Sequence, residues 1–558
     1  MKADEYDVII IGSGAGGGAC LWALARRNVK VLMLEAGPEY DYRNDYRLHR
    51  DDWELGGFPE KMPVAGRQTY AELQPLEEQW HGLRSWGETR GRFHSKPTRQ
   101  PFAYHHVVGL GGSTLHYTGE AHRINPAAMQ MHSRFGVAAD WPVAYDELEP
   151  YYQNVEELLG VAGPTQVNGR QRSRPHPLPA HQLNYSTHPI QRACERQGLT
   201  LEPNPVAILS RPYDERPGCN YCNNCQRGCP RADKGSVDVT FIRHAREHDN
   251  CTIRTGAEVI GIDTAGDDSV GAVRYVDADG NEHRVAARAV VVACGAVETP
   301  RLLLNSANPA ALEGVANESG LVGRNFMETI FWRSSALHPE PLGSHRGIPA
   351  DGICWDYNGP DAIDGVIGGC RFTTSVGESG LIGPVNYAKR IVGGWGRSHK
   401  QRMRQVFGRV LSLGAVGESL PNERSFIDLD LEERDKHDLP KARINSRLDA
   451  MELKRMAFMA NKCRELLQAG GAENLVEEYG AYDYFSSTQV FGTCRMGIDP
   501  ATSVVDPHGR SHRWKNLFIA DASVFPSSGG GEAPSLTIEA LAIRTADRIV
   551  ELAASRDL

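Results

Sequence analysis

No part of this 558-residue chain approaches the roughly 20 consecutive apolar residues that a membrane-spanning helix needs, so no span is expected. Net charge is low as well. Lys and Arg number 61 against 70 Asp and Glu, and the balance of −9 comes with no concentrated basic run, which argues against nucleic acid as a partner. Internal repeats and low-complexity tracts are missing, so a solenoid or fibrous architecture is not expected. Cysteine is sparse, 12 in all, and eight stand singly (Cys20, Cys194, Cys251, Cys294, Cys354, Cys370, Cys463, Cys494), as small apolar residues do in a reducing compartment. The first apolar run breaks at Gly12 and lacks a small-residue cleavage site, so it does not read as a signal peptide, and a cytoplasmic location is expected. With 41% hydrophobic residues the chain can bury a large core, in three or four average domains or in two large interleaved ones.

The informative stretch is Asp7 to Gly37, DVIIIGSGAGGGACLWALARRNVKVLMLEAG. Val8 to Ile11 reads as a strand buried on both faces. Gly12, Gly14 and Gly17 follow in G-x-G-x-x-G order, Ala19 to Leu24 favours helix, and Val29 to Leu34 is a second strand ending in Glu35. Such glycines make a tight turn, let the backbone approach a pyrophosphate, and let the helix pack closely on the sheet. The phosphates would rest on free N–H groups at the helix start. An acid at position 35 suits an unphosphorylated ribose, hence FAD or NAD rather than NADP.

Tyr40 to Thr98 lacks periodicity and reads as loops and short helices covering the ligand. His105 to Gly119 is a second glycine-rich loop, suited to a phosphate or a flavin ring. Tyr145 to Leu159 is an acidic amphipathic helix, and Pro203 to Arg231 is mostly loop. From Thr252 to Val276 the pattern is strands, followed by a turn at Asp279-Gly280, a strand from Arg284 to Ala293 and a small-residue turn at Cys294 to Ala296. Leu321 to Ser486 mixes short strands with one clear helix, Ala450 to Leu467. Asn516 to Ala520 is a strand with Asp521 at its end, and Leu536 to Leu552 is a helix.

Several separated motifs, GLGGST at Gly109 to Thr114, GAVETPRLL at Gly295 to Leu303, and the C-terminal GTCRMG, NLFIADASVFP and PSLTIEALAIR, join the N-terminal fingerprint in one order. In this the chain resembles the glucose-methanol-choline (GMC) flavin oxidoreductases. The resemblance implies an α/β fold: a discontinuous Rossmann-like FAD-binding domain (1–40, 240–320 and 490–558, with loop 105–119) and an α+β substrate domain built on a β-sheet (41–239 and 321–489). It also implies oxidation of an alcohol by hydride transfer to flavin N5. Carried over residue by residue, Gly12, Gly14 and Gly17 would meet the pyrophosphate, Glu35 the adenosine ribose, and Val259 the adenine. Gly112 and Ser113 would approach the phosphates or flavin, Asp521 the ribityl-pyrophosphate region, with Thr537 nearby; a cap is the plain alternative for Asp521. His116, in GGSTLHYTG, resembles the histidine that bonds covalently to the flavin 8α carbon in pyranose-oxidase-like members. The alternative is a histidine that only hydrogen-bonds the ring.

Two positions depart from the family. Where its members carry the base histidine and a second His or Asn, this chain has Gln489 and Ala533. An amide does not titrate near neutral pH and a methyl group cannot accept a proton. Glu532, displaced by one residue, is one candidate base, against a surface-loop acid as the plain reading. His105, His106 or His116 is another. A third possibility is that no strong base is needed, or that nothing is oxidised.

Cys219, Cys222, Cys225 and Cys229, followed by Pro230, have the C-x2-C-x2-C-x3-C-P spacing of bacterial ferredoxins. An iron-sulfur cluster, an empty thiol or disulfide loop, and zinc stand as readings. Together these point to an FAD-dependent dehydrogenase of a small sugar, polyol or aromatic alcohol, with a protein or quinone as electron acceptor. The competing expectation is a flavin-binding relay or scaffold subunit without alcohol oxidation of its own.

Overall fold

The computed structural model describes residues 6–46, 48, 54, 68–165, 170–374 and 380–558. Part of the expected covering excursion, residue 47 and residues 49–53 and 55–67, lies outside them. Its described remainder contains three short strands and a 3-10 turn at Glu78–Leu83.

A five-stranded parallel sheet runs in the order Cys251–Arg254, Val31–Leu34, Tyr6–Ile11, Ala287–Val292, Leu517–Ile519. Tyr6–Ile11 is central, with Ile9 paired to Leu32 on one side and Val290 on the other. Ile9 and Ile10 are fully buried because helices cover the sheet, which is why the strand reads as an unbroken apolar run. Truncating either to Ala would cost about 2–5 kcal/mol. The glycine-rich helix Ala15–Ala25 packs against Ser535–Ser555, the C-terminal helix, which in turn packs on Tyr145–Leu159.

A mixed-length antiparallel sheet of eight strands forms the second layer, with Asn474–Gly480, Ile330–Leu337, Val410–Gly417 and Cys370–Thr374 adjacent at its centre. Helix Ala450–Ala469 packs on it and starts in a capping box: the Asp449 carboxylate accepts from Glu452 N–H, and the Glu452 carboxylate from Asp449 N–H.

Three elements differ from the expected ones. The strand read as Arg284 to Ala293 divides into Glu282–Val285, which pairs in a three-stranded antiparallel sheet, and Ala287–Val292, which joins the parallel sheet. A strand that changes sheets keeps its apolar run, so sequence pattern alone does not show the break. The small-residue stretch after it opens a helix, Gly295–Asn305. Finally, Gly396–Val406 is an exposed helix with no buried residue. No helix among the described residues is long and apolar enough to cross a membrane.

Candidate active site

The carboxyl ends of the parallel strands meet at a cavity of about 520 Å³. Ile11, Leu34, Ala293 and Asp521 all line it, the place where open α/β sheets take their ligands. The glycines of the first turn divide the work. Gly12 has φ +93°, and a Cβ on Gly17 would stand 2.0 Å from the Gly12 carbonyl oxygen, so Gly17 serves helix packing and does not line the cavity. A Cβ on Gly14, which does line it, would meet no atom within 4 Å. No side chain caps helix Ala15–Ala25, whose first N–H groups are therefore open to an anion. The second loop presses against this turn, with a Cβ on Gly112 (φ +55°) standing 2.7 Å from Gly14 Cα.

Glu35 is buried at the end of its strand. Its carboxylate accepts from Ser13 N–H (3.1 Å), Ser13 Oγ–H (2.6 Å) and Gly37 N–H (2.8 Å), while Ser13 Oγ also accepts from Gly111 N–H at 3.1 Å. Ser13 thus ties both loops to the acid; as a variable position of the fingerprint, it carries no signal in the sequence. Asp521 Oδ2 accepts from Gly295 N–H (2.9 Å) and Thr299 Oγ–H (2.6 Å), and its Oδ1 caps the turn at Ser523 N–H (2.8 Å). It is both a cap and a cavity residue. Ser113, His116 and Val259 also stand in the wall. Thr537 does not: its hydroxyl meets Tyr152 Oη at 2.9 Å, and Ser535 and Ile538, three residues apart on one helix face, take the cavity side. An open backbone at Gly14, uncapped helix N–H groups and the buried acid at the second strand's end together fit an extended dinucleotide.

The far part of the cavity is walled by the antiparallel sheet. Phe331 and Arg333, alternate residues of one strand, share the cavity face, and Arg333 donates to Tyr479 Oη at 3.3 Å. Gln489 stands in this wall with its backbone clamped: its N–H donates to Thr329 Oγ (2.8 Å), and its carbonyl accepts from Thr329 (2.8 Å) and Ser487 (2.9 Å) hydroxyls. His105 is beside it. Its N–H donates to Ser487 O at 2.8 Å and its Nε2 lies 3.2 Å from Ser486 Oγ, because the strand Gln100–Tyr104 runs parallel to Tyr484–Ser487. His106 lines the cavity too.

Glu532 is not placed to act as the base. It is buried, but faces away from the cavity, pairing with Arg170 at 2.5 Å and accepting from Asn125 N–H at 3.1 Å. It is not a surface acid either. Ala533 lines the cavity while its N–H donates to His122 Nδ1 at 3.0 Å. Burial pushes the His122 pKa down to about 3, so this imidazole is neutral. Two wall residues that sequence reasoning missed are Glu120 and Arg371, which form a two-pronged pair at 2.8 and 2.9 Å. Burial is the largest single influence on the Glu120 carboxyl and would raise its pKa, but the Arg371 charge, His122 and the hydrogen bonds from Asn204 and Arg371 together hold it below its usual range. Nothing local in the sequence marks this pair, which are 251 positions apart.

The four clustered cysteines are free thiols, Cys225 buried and Cys222 exposed. Cys229 Sγ donates to Asp233 at 3.0 Å, and burial pushes its pKa up to about 12. Among the described residues no three His, Cys, Asp or Glu side chains are set to hold a metal ion, so this arrangement does not fit the ligand set that the spacing suggests. The loop nevertheless touches the cavity through Gln226. Lys234, fully buried, links the two: its Nζ donates to Cys225 O (2.9 Å), and to Leu115 O (2.9 Å) and Tyr117 O (3.0 Å) on either side of His116.

Comparison with known proteins agrees with this geometry. Two family models, both described as GMC oxidoreductase, match residues 102–330 and 421–542. The chain is 31% identical over 559 residues to the 6'''-hydroxyparomomycin C oxidase of Streptomyces lividus (99% of this chain, 92% of that one). It is 28% identical over 553 residues to the fructose dehydrogenase large subunit of Gluconobacter japonicus (98% and 97%). Among solved structures, the fold is shared with the pyridoxine 4-oxidase of Mesorbium loti (TM-score 0.62, 19% identity, 98% and 99% covered). A formate oxidase of Aspergillus oryzae also shares it (TM-score 0.65, 16% identity, both chains fully covered). The chain belongs to the GMC oxidoreductase family, and it is an FAD-dependent oxidoreductase that acts on CH–OH donors.

Proposed function

We propose that the chain is a dehydrogenase of a sugar or other polyhydroxy alcohol, with His105 in the part of the missing base. The observation that carries this reading is the wall around Gln489, where His105, Ser486 and Arg333 offer hydrogen-bonding groups beside the rings of Phe331 and Tyr479. A hydroxyl-rich substrate fits such a mixture better than a plain aromatic alcohol. The turn at Gly12 and Gly14, with Glu35 and Asp521, would hold FAD, which would supply the two-electron oxidant for the alcohol. The Gln489 carboxamide orients the reacting hydroxyl, and the clamp of Thr329 and Ser487 on its backbone keeps that orientation. The His105 imidazole accepts the hydroxyl proton at a ring nitrogen, with Ser486 fixing the ring. Glu120 and Arg371 neutralise each other and contribute a rigid polar wall. Electrons leave to a protein or quinone acceptor; since the cysteine loop does not fit a cluster, no path is drawn through it.

His116 is also proposed as the covalent flavin attachment, supported by its place in the wall directly after the turn Gly112–Leu115. Acid-precipitated protein that stays yellow supports the link, and a colourless pellet removes it. For the base, His105→Asn should lower kcat by about 10²–10⁴-fold and flatten the acid limb of the rate profile, while His106→Asn keeps that limb. Turnover with an unchanged pH profile in His105→Asn would refute the assignment.

A further inference from the structure

Between Pro384 and Arg409 the sequence holds seven Lys or Arg and no acidic residue, in a chain whose net charge is −9. This count corrects the expectation of no concentrated basic run. Helix Gly396–Val406 gathers Arg397, Lys400 and Arg404 on one face, at spacings of three and four residues, while Arg402 is exposed on the opposite side of the helix. None of these four makes an ion pair or hydrogen bond among the described residues, although partners are common elsewhere on this surface. The helix's apolar residues Met403 and Val406, with Phe407 just beyond it, already pack into a buried cluster with Leu381, Tyr387 and Val410. One aromatic is left outside: Trp395, immediately before the helix, is 88% exposed, with Gly393, Gly394 and Gly396 around it.

We propose that Trp395 and the cationic face of helix Gly396–Val406 form a docking surface for an anionic lipid bilayer. Indole rings favour the water–lipid interface, and each Lys or Arg near an anionic leaflet is drawn to it. Between Pro384 and Arg409 Trp395 is the one exposed large hydrophobic side chain, so this surface lacks the apolar patch that forms the core of a protein interface. The surface also has a fixed relation to the active site. Arg390, in the segment leading to Trp395, pairs with Glu477, two residues from the cavity-wall residue Tyr479, and Thr89 Oγ–H donates to Arg390 O at 2.7 Å. Docking therefore sets the antiparallel-sheet wall of the cavity close to the lipid surface.

The test is flotation of the FAD-loaded protein with vesicles of phosphatidylcholine alone and of phosphatidylcholine mixed with phosphatidylglycerol. Binding is expected on the mixed vesicles only, and is expected to disappear at high salt, where the screening length falls to about 3 Å. Each charge removed should weaken binding about five-fold, so the triple variant Arg397→Gln, Lys400→Gln, Arg404→Gln should bind about a hundred-fold less tightly, with solution turnover unchanged. Trp395→Ser should bind more weakly without changing the salt dependence. No binding to mixed vesicles, equal binding to both kinds, or a triple variant that binds like the parent each overturns the proposal. Capture by poly-glutamate without vesicle binding overturns it in favour of an acidic protein partner.

Discussion

Alanine at Gly14 and alanine at Gly17 add the same methyl group three residues apart, and the structure gives them opposite outcomes. At Gly17 the new Cβ stands 2.0 Å from the Gly12 carbonyl oxygen, well inside contact distance, and both partners are backbone. Relief requires the turn and the helix to separate, an overpacking cost at or above the usual range of about 1–3 kcal/mol. For a protein with domains of this size that is a melting shift of roughly 5–10 °C downward. At Gly14 no protein atom lies within 4 Å of the added Cβ, and the backbone angles, φ −66° and ψ −162°, are open to alanine. The apoprotein should keep its melting temperature or gain the equivalent of about 0.4–1 kcal/mol from a stiffer unfolded chain. The methyl group instead occupies the space between the helix N–H groups and a diphosphate. Losing one or two charge-assisted hydrogen bonds there costs about 2–3 kcal/mol, or about 30–150-fold in FAD affinity. Differential scanning of each variant with and without added FAD, together with the flavin-to-protein absorbance ratio, separates the two. A Gly14→Ala protein that takes up FAD like the parent would refute the assignment of the diphosphate to this turn.

Other consequences can be checked with single variants. Glu532→Gln removes the carboxylate from a buried ion pair with Arg170, so thermal stability should fall by roughly 3–5 kcal/mol while kcat stays within a few-fold; a kcat drop beyond a hundred-fold in folded enzyme would restore Glu532 to the mechanism. Burial raises the Glu418 pKa from 4.5 to about 7. The folded state therefore holds a proton that the unfolded chain releases above pH 4.5, and the stability this group contributes is lost as pH rises toward and through 7. The difference of 2.5 units bounds the effect at about 3 kcal/mol, so Glu418→Gln should melt higher than the parent at pH 8 and alike at pH 4; equal melting at pH 8 would show that Glu418 keeps no proton. Thiol labelling of native protein should modify exposed Cys222 first and buried Cys225 last. Protection of all four cysteines with stoichiometric bound iron would show that the loop closes around a cluster after all.

The parts of the molecule legible in the sequence share one property: their physical cause is local. The run Val8 to Ile11, the glycines after it and Glu35 lie within one strand-turn-helix-strand unit, and the capping box at Asp449 and Glu452 spans four residues. Where one residue type could do two jobs, local reading stopped short. Glu532 has the chemistry of a base, but its partner Arg170 lies 362 positions away, and only the packed loops bring them together. Gly17 belongs to the phosphate fingerprint, yet its missing side chain admits a carbonyl oxygen.

The sequence by itself determined the nucleotide-binding unit and the order of its motifs, and by resemblance it put Gln489 and Ala533 where the family's base is expected, because these depend on residue identity and short-range spacing. Tertiary structure alone decided which titratable groups reach the cavity and which are turned into ion pairs behind it. Those outcomes depend on distances between side chains hundreds of positions apart, and such distances are settled by packing.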